Sequence, residues 1–189
     1  MGGPAYDATL AAGATVSGSQ AVLASSGPYV SLPSTVFGSY SSVTIETWVT
    51  TGVNSEPARI FQFGPSLVDP QPLSVAVIRF YSDEITSQYS SSTGVYTLLD
   101  SKVTFDSKSN IHIVMTIVAG SSAVMYINGV YVNTNFAPGQ LQPTYFYLSK
   151  SLNPGGNDGL IGSIDEFRIW GGILTPSQIA SHYQEGPSE

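Results

Sequence analysis

The stretch that most constrains this chain is "NIHIVMTIVAGSSAVMYINGVYVNTN", residues 110–135. Residues 111–118 are an almost unbroken run of Ile, Val, Met and Thr, rich in β-branched types that suit a pleated sheet better than a helix. Ala119-Gly120-Ser121-Ser122 interrupts the run with turn chemistry, and 123–127 resumes it. Asn128-Gly129 then supplies the pair that a type I′ turn demands, because both central residues of that turn need positive φ. Val130-Tyr131-Val132 returns along the hairpin. Strands joined by such tight turns pair antiparallel, so the chain is committed to a sheet.

The rest of the sequence repeats the pattern. Turn residues recur roughly every 8 to 15 positions, with Val, Ile, Thr, Tyr and Phe between them, which predicts an all-β sandwich. "ATVSGSQAVLASSGPYVSLP" predicts an opening strand, a Ser/Gly turn, then a strand at Tyr29-Val30-Ser31-Leu32. "SSVTIETWVTTG" alternates cleanly: Val43, Ile45, Thr47 and Val49 share one face, and Thr44, Glu46 and Trp48 the other. "ARIFQFGPS" is a strand that stops at Gly64-Pro65. "LSVAVIRFYSDE" and "ITSQYSSSTGVYTLL" read as the next two strands, with Asp83-Glu84 between them. "PTYFYLSKS" and "LIGSIDEFRIW" are further strands, separated by the loop "LNPGGNDG". One helix is expected, near the C-terminus. Thr175 is its N-cap, Pro176 its first residue and Gln178 the partner in a capping box, with Leu174 stapled onto Ile179. Ile179 and Tyr183 give it one apolar side, and Gly186-Pro187 ends it.

With 189 residues the chain is read as a single domain over 1–189, with 1–5 as linker and 186–189 as tail. The absence of cysteine excludes disulfides, CxxC zinc sites and thiol nucleophiles. Only 10% of residues are charged, so Ser, Thr, Asn, Gln and Tyr must supply the polar surface, a composition suited to an extracellular or cell-surface protein. The net charge is −7 and the six basic residues are scattered, which argues against nucleic acid and anionic membrane as partners. No apolar run is long enough for a membrane-inserting helix. "MGGPAYDATL" has neither the basic nor the apolar region of a signal peptide, and the domain is expected to belong to a multidomain chain.

Three segments carry a family resemblance. "LIGSIDEFRIWGGILTPSQIASHY" resembles the closing signature of laminin-G-like and pentraxin-like domains of the concanavalin A-like lectin/glucanase superfamily. "VTIETWVTT" is similar to their early Glu-x-Trp strand, and "IHIVMTIVAGSSAVMYINGVYVNT" to their central hairpin. Order and spacing agree over about residues 20–185; Asn110 departs where the family often has Trp. The resemblance implies a jelly-roll of two antiparallel sheets packed face to face, with one short C-terminal helix covering an edge or end. Trp48, Phe61, Phe63 and Trp170 are expected to fill the core.

Asp165 and Glu166 are the most conspicuous acids. Strand alternation is expected to send them to opposite faces, whereas a glycosidase needs both carboxyls on one side of its substrate. The superfamily's glucanases resemble Glu-x-Asp-x-x-Glu, and here Ser163 and Arg168 stand where the two glutamates would be, which leaves glycoside hydrolysis a remote alternative. The resemblance also implies calcium, a hard cation that takes oxygen ligands; Asn157, Asp158 and Asp165 are the candidate set. His112 and His182 read as isolated residues, and no Gly-x-Ser-x-Gly motif is present. Tyr81, Asp83, Gln88 and Tyr89 form a candidate sugar site of aromatic, amide and carboxylate groups, and Tyr145-Phe146-Tyr147 is a second aromatic cluster. The expectation is a non-catalytic binding module for a glycan or an extracellular protein, with a structural spacer or assembly domain as the alternative.

Overall fold

The computed structural model describes residues 7–52, 58–65, 73–78, 85–91, 94–100, 110–135, 137, 141–152 and 158–187; of 73–78, 86–91, 94–100 and 135 it describes the backbone alone. In chain order the first strands are β1 (Thr9–Ala11), β2 (Thr15–Ser17), β3 (Gln20–Leu23), β4 (Tyr29–Leu32) and β5 (Ser42–Thr51). Next come β6 (Ala58–Gly64), β7 (Leu73–Ile78), β8 (Ile85–Ser91), β9 (Gly94–Asp100) and β10 (Ile111–Val118). The last are β11 (Ser122–Ile127), β12 (Val130–Asn135), β13 (Tyr145–Leu148) and β14 (Gly162–Gly171), followed by the helix α1 (Pro176–Glu185). They form two seven-stranded sheets, a first in the order β1-β4-β13-β6-β7-β8-β9 and a second in the order β12-β11-β10-β5-β14-β3-β2. The fold is the jelly-roll sandwich the sequence predicts.

Local chemistry explains several elements directly. Asn128 and Gly129 adopt φ of 50° and 75°, and the turn they make lets β11 and β12 pair. Thr175 Oγ1 accepts from the Gln178 N–H and the Gln178 side chain accepts from the Thr175 N–H, closing the capping box. Leu174 packs with Ile179, as a hydrophobic staple should. One expectation fails in detail: "ITSQYSSSTGVYTLL" is two strands, because β8 folds back on β9 and pairs Ser91 with Gly94. The Ser-Ser-Thr-Gly sequence there is turn chemistry, which the long apolar-polar run on either side conceals.

The core lies between the sheets. Val43, Ile45 and Val49 of β5 and Ile111, Ile113, Met115 and Ile117 of β10 face Val30, Phe61, Phe63, Phe146 and Leu148 of the first sheet. Phe167 of β14 crosses the interior to meet Phe61 edge-on at 5.6 Å and Phe146 at 5.7 Å. Its inward position depends on a bulge: β14 pairs Asp165 with Trp48 and Phe167 with Thr47, leaving Glu166, at φ 47°, as an extra residue. The bulge resets the alternation, so Ile164, Phe167 and Ile169 face the core.

Three expectations are corrected here. The bulge puts Asp165 and Glu166 on the same, outer side of the second sheet, so simple alternation does not separate them. Trp48 and Trp170 are also on that outer face: Trp48, cross-strand to Asp165 and His112, is buried there and not between the sheets, and Trp170, cross-strand to Thr44, is partly exposed. The reason is the location of α1. It lies across the outer face of the second sheet, not at an edge, with Ile179 buried against Val114 and Tyr126. Thr44 ties the approach to the helix, donating to the Gly172 carbonyl and accepting from the Leu174 N–H. The outer residues of β5, β10 and β14 therefore have a cover of their own.

Candidate functional site

The outer face of the first sheet carries an aromatic grouping around β4 and β13. On β13, Phe146 and Leu148 belong to the core, so Tyr145 and Tyr147 alternate outward. On β4, Val30 belongs to the core and Tyr29 and Ser31 face out with them. The register continues this row across the whole sheet: Thr9, Ser31, Tyr147, Gln62, Ser74, Gln88 and Thr97 occupy successive cross-strand positions. Every residue type in the row can hydrogen-bond.

Lys150 reaches this face because of the backbone just before it. Ser149 ends β13 at φ 62°, a left-handed conformation that turns the chain out of the sheet. The ammonium of Lys150 then sits 3.9 Å from the ring centre of Tyr29 and 4.8 Å from that of Tyr147, while the two rings meet edge-to-face at 5.4 Å. Such a cation over an aromatic face is held by the ring quadrupole. Tyr145 flanks Tyr147 at 6.2 Å. Burial pushes the Tyr147 hydroxyl above its ordinary pKa, with Tyr29 and Tyr145 adding to the effect, so it stays a protonated donor.

The segment that carries Lys150 is pinned at both ends. The Ser149 N–H donates to the Ile60 carbonyl, and its hydroxyl donates to the Leu160 carbonyl. The Leu152 N–H donates to Gln62 Oε1. On the return, the Arg59 N–H donates to the Asp158 carbonyl at 2.7 Å and Arg59 Nε pairs with Asp158 Oδ2 at 3.1 Å. Gly159 fits only because it lacks a side chain: a Cβ there would lie 2.4 Å from the Ser26 carbonyl oxygen and 2.6 Å from that of Ser149.

The densest cluster of titratable groups lies elsewhere, under α1. Glu46 Oε1 accepts from His112 Nε2 at 2.9 Å and His182 Nδ1 at 3.0 Å, and Oε2 accepts from Trp170 Nε1 at 2.9 Å. An ionised carboxylate can only accept, so each ring nitrogen is the donor. Arg168 approaches from the other side at 3.8 Å, with its guanidinium over Trp48. His112 lies between Trp48 and Tyr183, at centroid distances of 4.3 and 5.8 Å. Burial alone pushes the Glu46 carboxyl up, but the bonds from His112 and Trp170 and the charge of His182 outweigh it and lower its pKa from 4.5 to about 2. Glu46 and His112 are both 0% exposed. This constellation fastens the helix to the sheet and presents no opening for a substrate at either residue.

The sequence-predicted residues separate accordingly. Gln88 falls in the outer row of the first sheet and Tyr89 at the next position of β8; Tyr81 and Asp83 lie outside the described residues. Asp158 is paired with Arg59 against the first sheet, whereas Asp165 accepts from Gln20 Nε2 in the second, and Asn157 lies outside the described residues. Glu166 pairs with Arg168, and the Ser163 hydroxyl donates to Gln20. Among the described residues no group of three or more His, Asp and Glu side chains is arranged around a metal position. The reading of Tyr145-Phe146-Tyr147 as one aromatic cluster omits Tyr29 and Lys150, and the isolated histidines turn out to share Glu46. No local signal in the sequence reports either grouping.

Two packed antiparallel sheets with a capped helix on one of them define a concanavalin A-like sandwich. The chain belongs to the laminin-G family described as the concanavalin A-like lectin/glucanases superfamily, whose pattern matches residues 24–180. No curated protein matches it by sequence. Among solved structures it is similar to domain 4 of AbnA, an extracellular GH43 arabinanase from Geobacillus stearothermophilus, in complex with arabinotriose (TM-score 0.67, 20% identity, 95% of this chain and 81% of that one). It is also similar to the binding domain of Paraclostridial Mosquitocidal Protein 1 (TM-score 0.69, 15% identity, 95% of this chain, 47% of that one). A third is Trypanosoma rangeli sialidase (TM-score 0.71, 13% identity, 94% of this chain, 29% of that one). The chain thus spans less than half of the last two, and at these identities the likeness is one of fold.

Proposed function

We propose that this domain is a non-catalytic glycan-binding module of a larger extracellular protein, and that its ligand lies on the outer face of the first sheet. The observation that carries the reading is the grouping of Tyr29, Tyr145, Tyr147 and Lys150 on a sheet face that also holds the hydroxyl residues Thr9 and Ser31 in register. Polyhydroxylated ligands are recognised by such a combination of flat apolar rings and convergent hydrogen-bonding groups. The structural neighbours include a domain complexed with arabinotriose and the binding domain of a mosquitocidal protein, which supports the same direction. A glycan panel scored by thermal melting tests it, because a ligand that binds only the native state raises Tm by mass action. No shift with any glycan at millimolar concentration would overturn the reading.

Calcium belongs to this proposal at Asp158. Asp158 commits Oδ2 to Arg59, and its Oδ1 is buried with no hydrogen-bond partner among the described residues, which suits a hard oxygen-seeking cation. A rise in Tm with calcium that EDTA reverses, and that Asp158→Asn removes, is the expected outcome.

The alternative of an assembly unit is favoured by one feature. Val130 is 67% exposed and Tyr131 55%, on a turn that packs beside α1, where Gly129 abuts Tyr183 and Ala180. Concentration-dependent self-association, abolished by Val130→Lys, would identify that face as an interface.

A further inference from the structure

Lys150 stands apart from the other described basic side chains. Arg59 is paired with Asp158, and Arg168 with Glu166 and, more distantly, Glu46. No carboxylate pairs with Lys150 among the described residues; its ammonium is held instead over the rings of Tyr29 and Tyr147. The rings fix its position, yet they satisfy none of its three N–H donors. A long lysine chain normally loses rotamer freedom when it engages a ligand, and here that freedom is already restricted.

The same contact limits what the tyrosines offer. A face of Tyr29 and one of Tyr147 are occupied by the ammonium, so those faces are closed to a sugar ring. What remains directed to a ligand, besides the Tyr145 ring, is a preorganised positive charge beside phenolic hydroxyl groups. Neutral sugar hydroxyls offset the dehydration of an ammonium poorly, whereas an anionic oxygen makes a charge-assisted bond with it. In a chain of net charge −7 an anion is repelled from most of the surface, so an anchored, unpaired cation determines where one can bind.

We propose that Lys150, braced by Tyr29 and Tyr147, is an anion-binding subsite that selects an acidic sugar residue. This rests on the glycan-binding reading and adds the ligand's chemical class to it. An ammonium accepts a carboxylate or a sulfate, so the two sources are separated by experiment. Isothermal titration would compare oligogalacturonate, dextran sulfate and linear arabinan against the native protein, Lys150→Met and Tyr147→Phe.

The expected result is binding of an acidic polymer that weakens as salt is raised. Lys150→Met should weaken it about tenfold or more with an unchanged melting curve, and Tyr147→Phe, which keeps the ring, should weaken it less. Oligogalacturonate preferred over dextran sulfate assigns the subsite to uronates, and the reverse to sulfated sugars. If Lys150→Met fails to fold, Lys150→Gln takes its place. Equal binding by the lysine variants, or binding of arabinan alone, overturns the acidic-sugar subsite while the glycan reading stands. Binding of none of the three overturns the subsite, and the wider glycan panel then decides the parent reading separately.

Discussion

The outer faces of the two sheets begin from the same geometry and end in opposite states. Both carry aromatic rings and at least one cation. On the second sheet α1 lies over Glu46 and His112, and Glu46 and Arg168 there are both paired. On the first sheet Tyr29, Tyr145, Tyr147 and Lys150 are half-buried, and the cation rests on rings. Aromatic content alone does not mark a binding surface. What distinguishes the faces is whether the cation beside the rings has a carboxylate partner: Arg168 pairs with Glu166, whereas Lys150 rests on Tyr29 and Tyr147 alone among the described residues.

Substitutions should separate the two faces. The largest effect is expected at Glu46. Glu46→Ala leaves His112 and Trp170 without their acceptor beneath the helix, and breaking a buried pair in this way costs about 3 to 5 kcal/mol. Chemical denaturation should register that loss, and a change below 1 kcal/mol would show that the network is not what holds α1.

Acid should reproduce much of this without mutation. The folded-state pKa of Glu46 is depressed from 4.5 to about 2. The associated stabilisation is therefore complete above about pH 4.5 and is lost as pH falls through the window down to about 2, amounting to roughly 3 kcal/mol. His112, His182, Trp170 and Arg168 are the groups that face it from β10, α1 and β14. Denaturation midpoints between pH 6 and pH 2 for the native protein and Glu46→Gln should converge at the acid end.

Gly159→Ala addresses the other face. Its Cβ would collide with two backbone carbonyls, so a cost of about 1 to 3 kcal/mol is expected, together with displacement of the segment that carries Lys150. Glycan binding should suffer while the acid-sensitivity of the Glu46 network is unchanged. Thr175→Ala removes the helix cap and should cost about 1 kcal/mol, with no effect on ligand binding. The smallest change in stability is expected for Tyr147→Phe, within about 0.5 kcal/mol, because the ring and its packing are kept.

Much of the fold was legible because its signals are local. The Asn128-Gly129 turn, the Thr175-to-Gln178 capping box and the alternation of β5 each follow from a few adjacent residues whose conformational preferences agree. The strand boundary between β8 and β9 was lost where Ser-rich turn chemistry sat inside a longer β-like run. The site was far less legible. Tyr147 stands out in the sequence as part of an aromatic run, but Lys150 has no sequence feature linking it to Tyr29. Glu46 meets His112 across 66 residues and His182 across 136.

The sequence by itself determined that this chain forms antiparallel sheets closed by a capped helix, since turns, caps and alternation are written in short-range sterics and hydrogen bonding. Tertiary structure decided which faces those elements cover. The bulge at Glu166 shifted the phase of β14 and put Asp165 and Glu166 on one side. The placement of α1 converted the outer face of the second sheet into a second interior, whereas around β4 and β13 the outer face of the first sheet keeps Tyr29, Tyr145, Tyr147 and Lys150 partly exposed. A single extra residue inverts every side chain beyond it in a strand, and a helix buries whatever face it docks on; neither consequence is visible until strands from distant parts of the chain are paired.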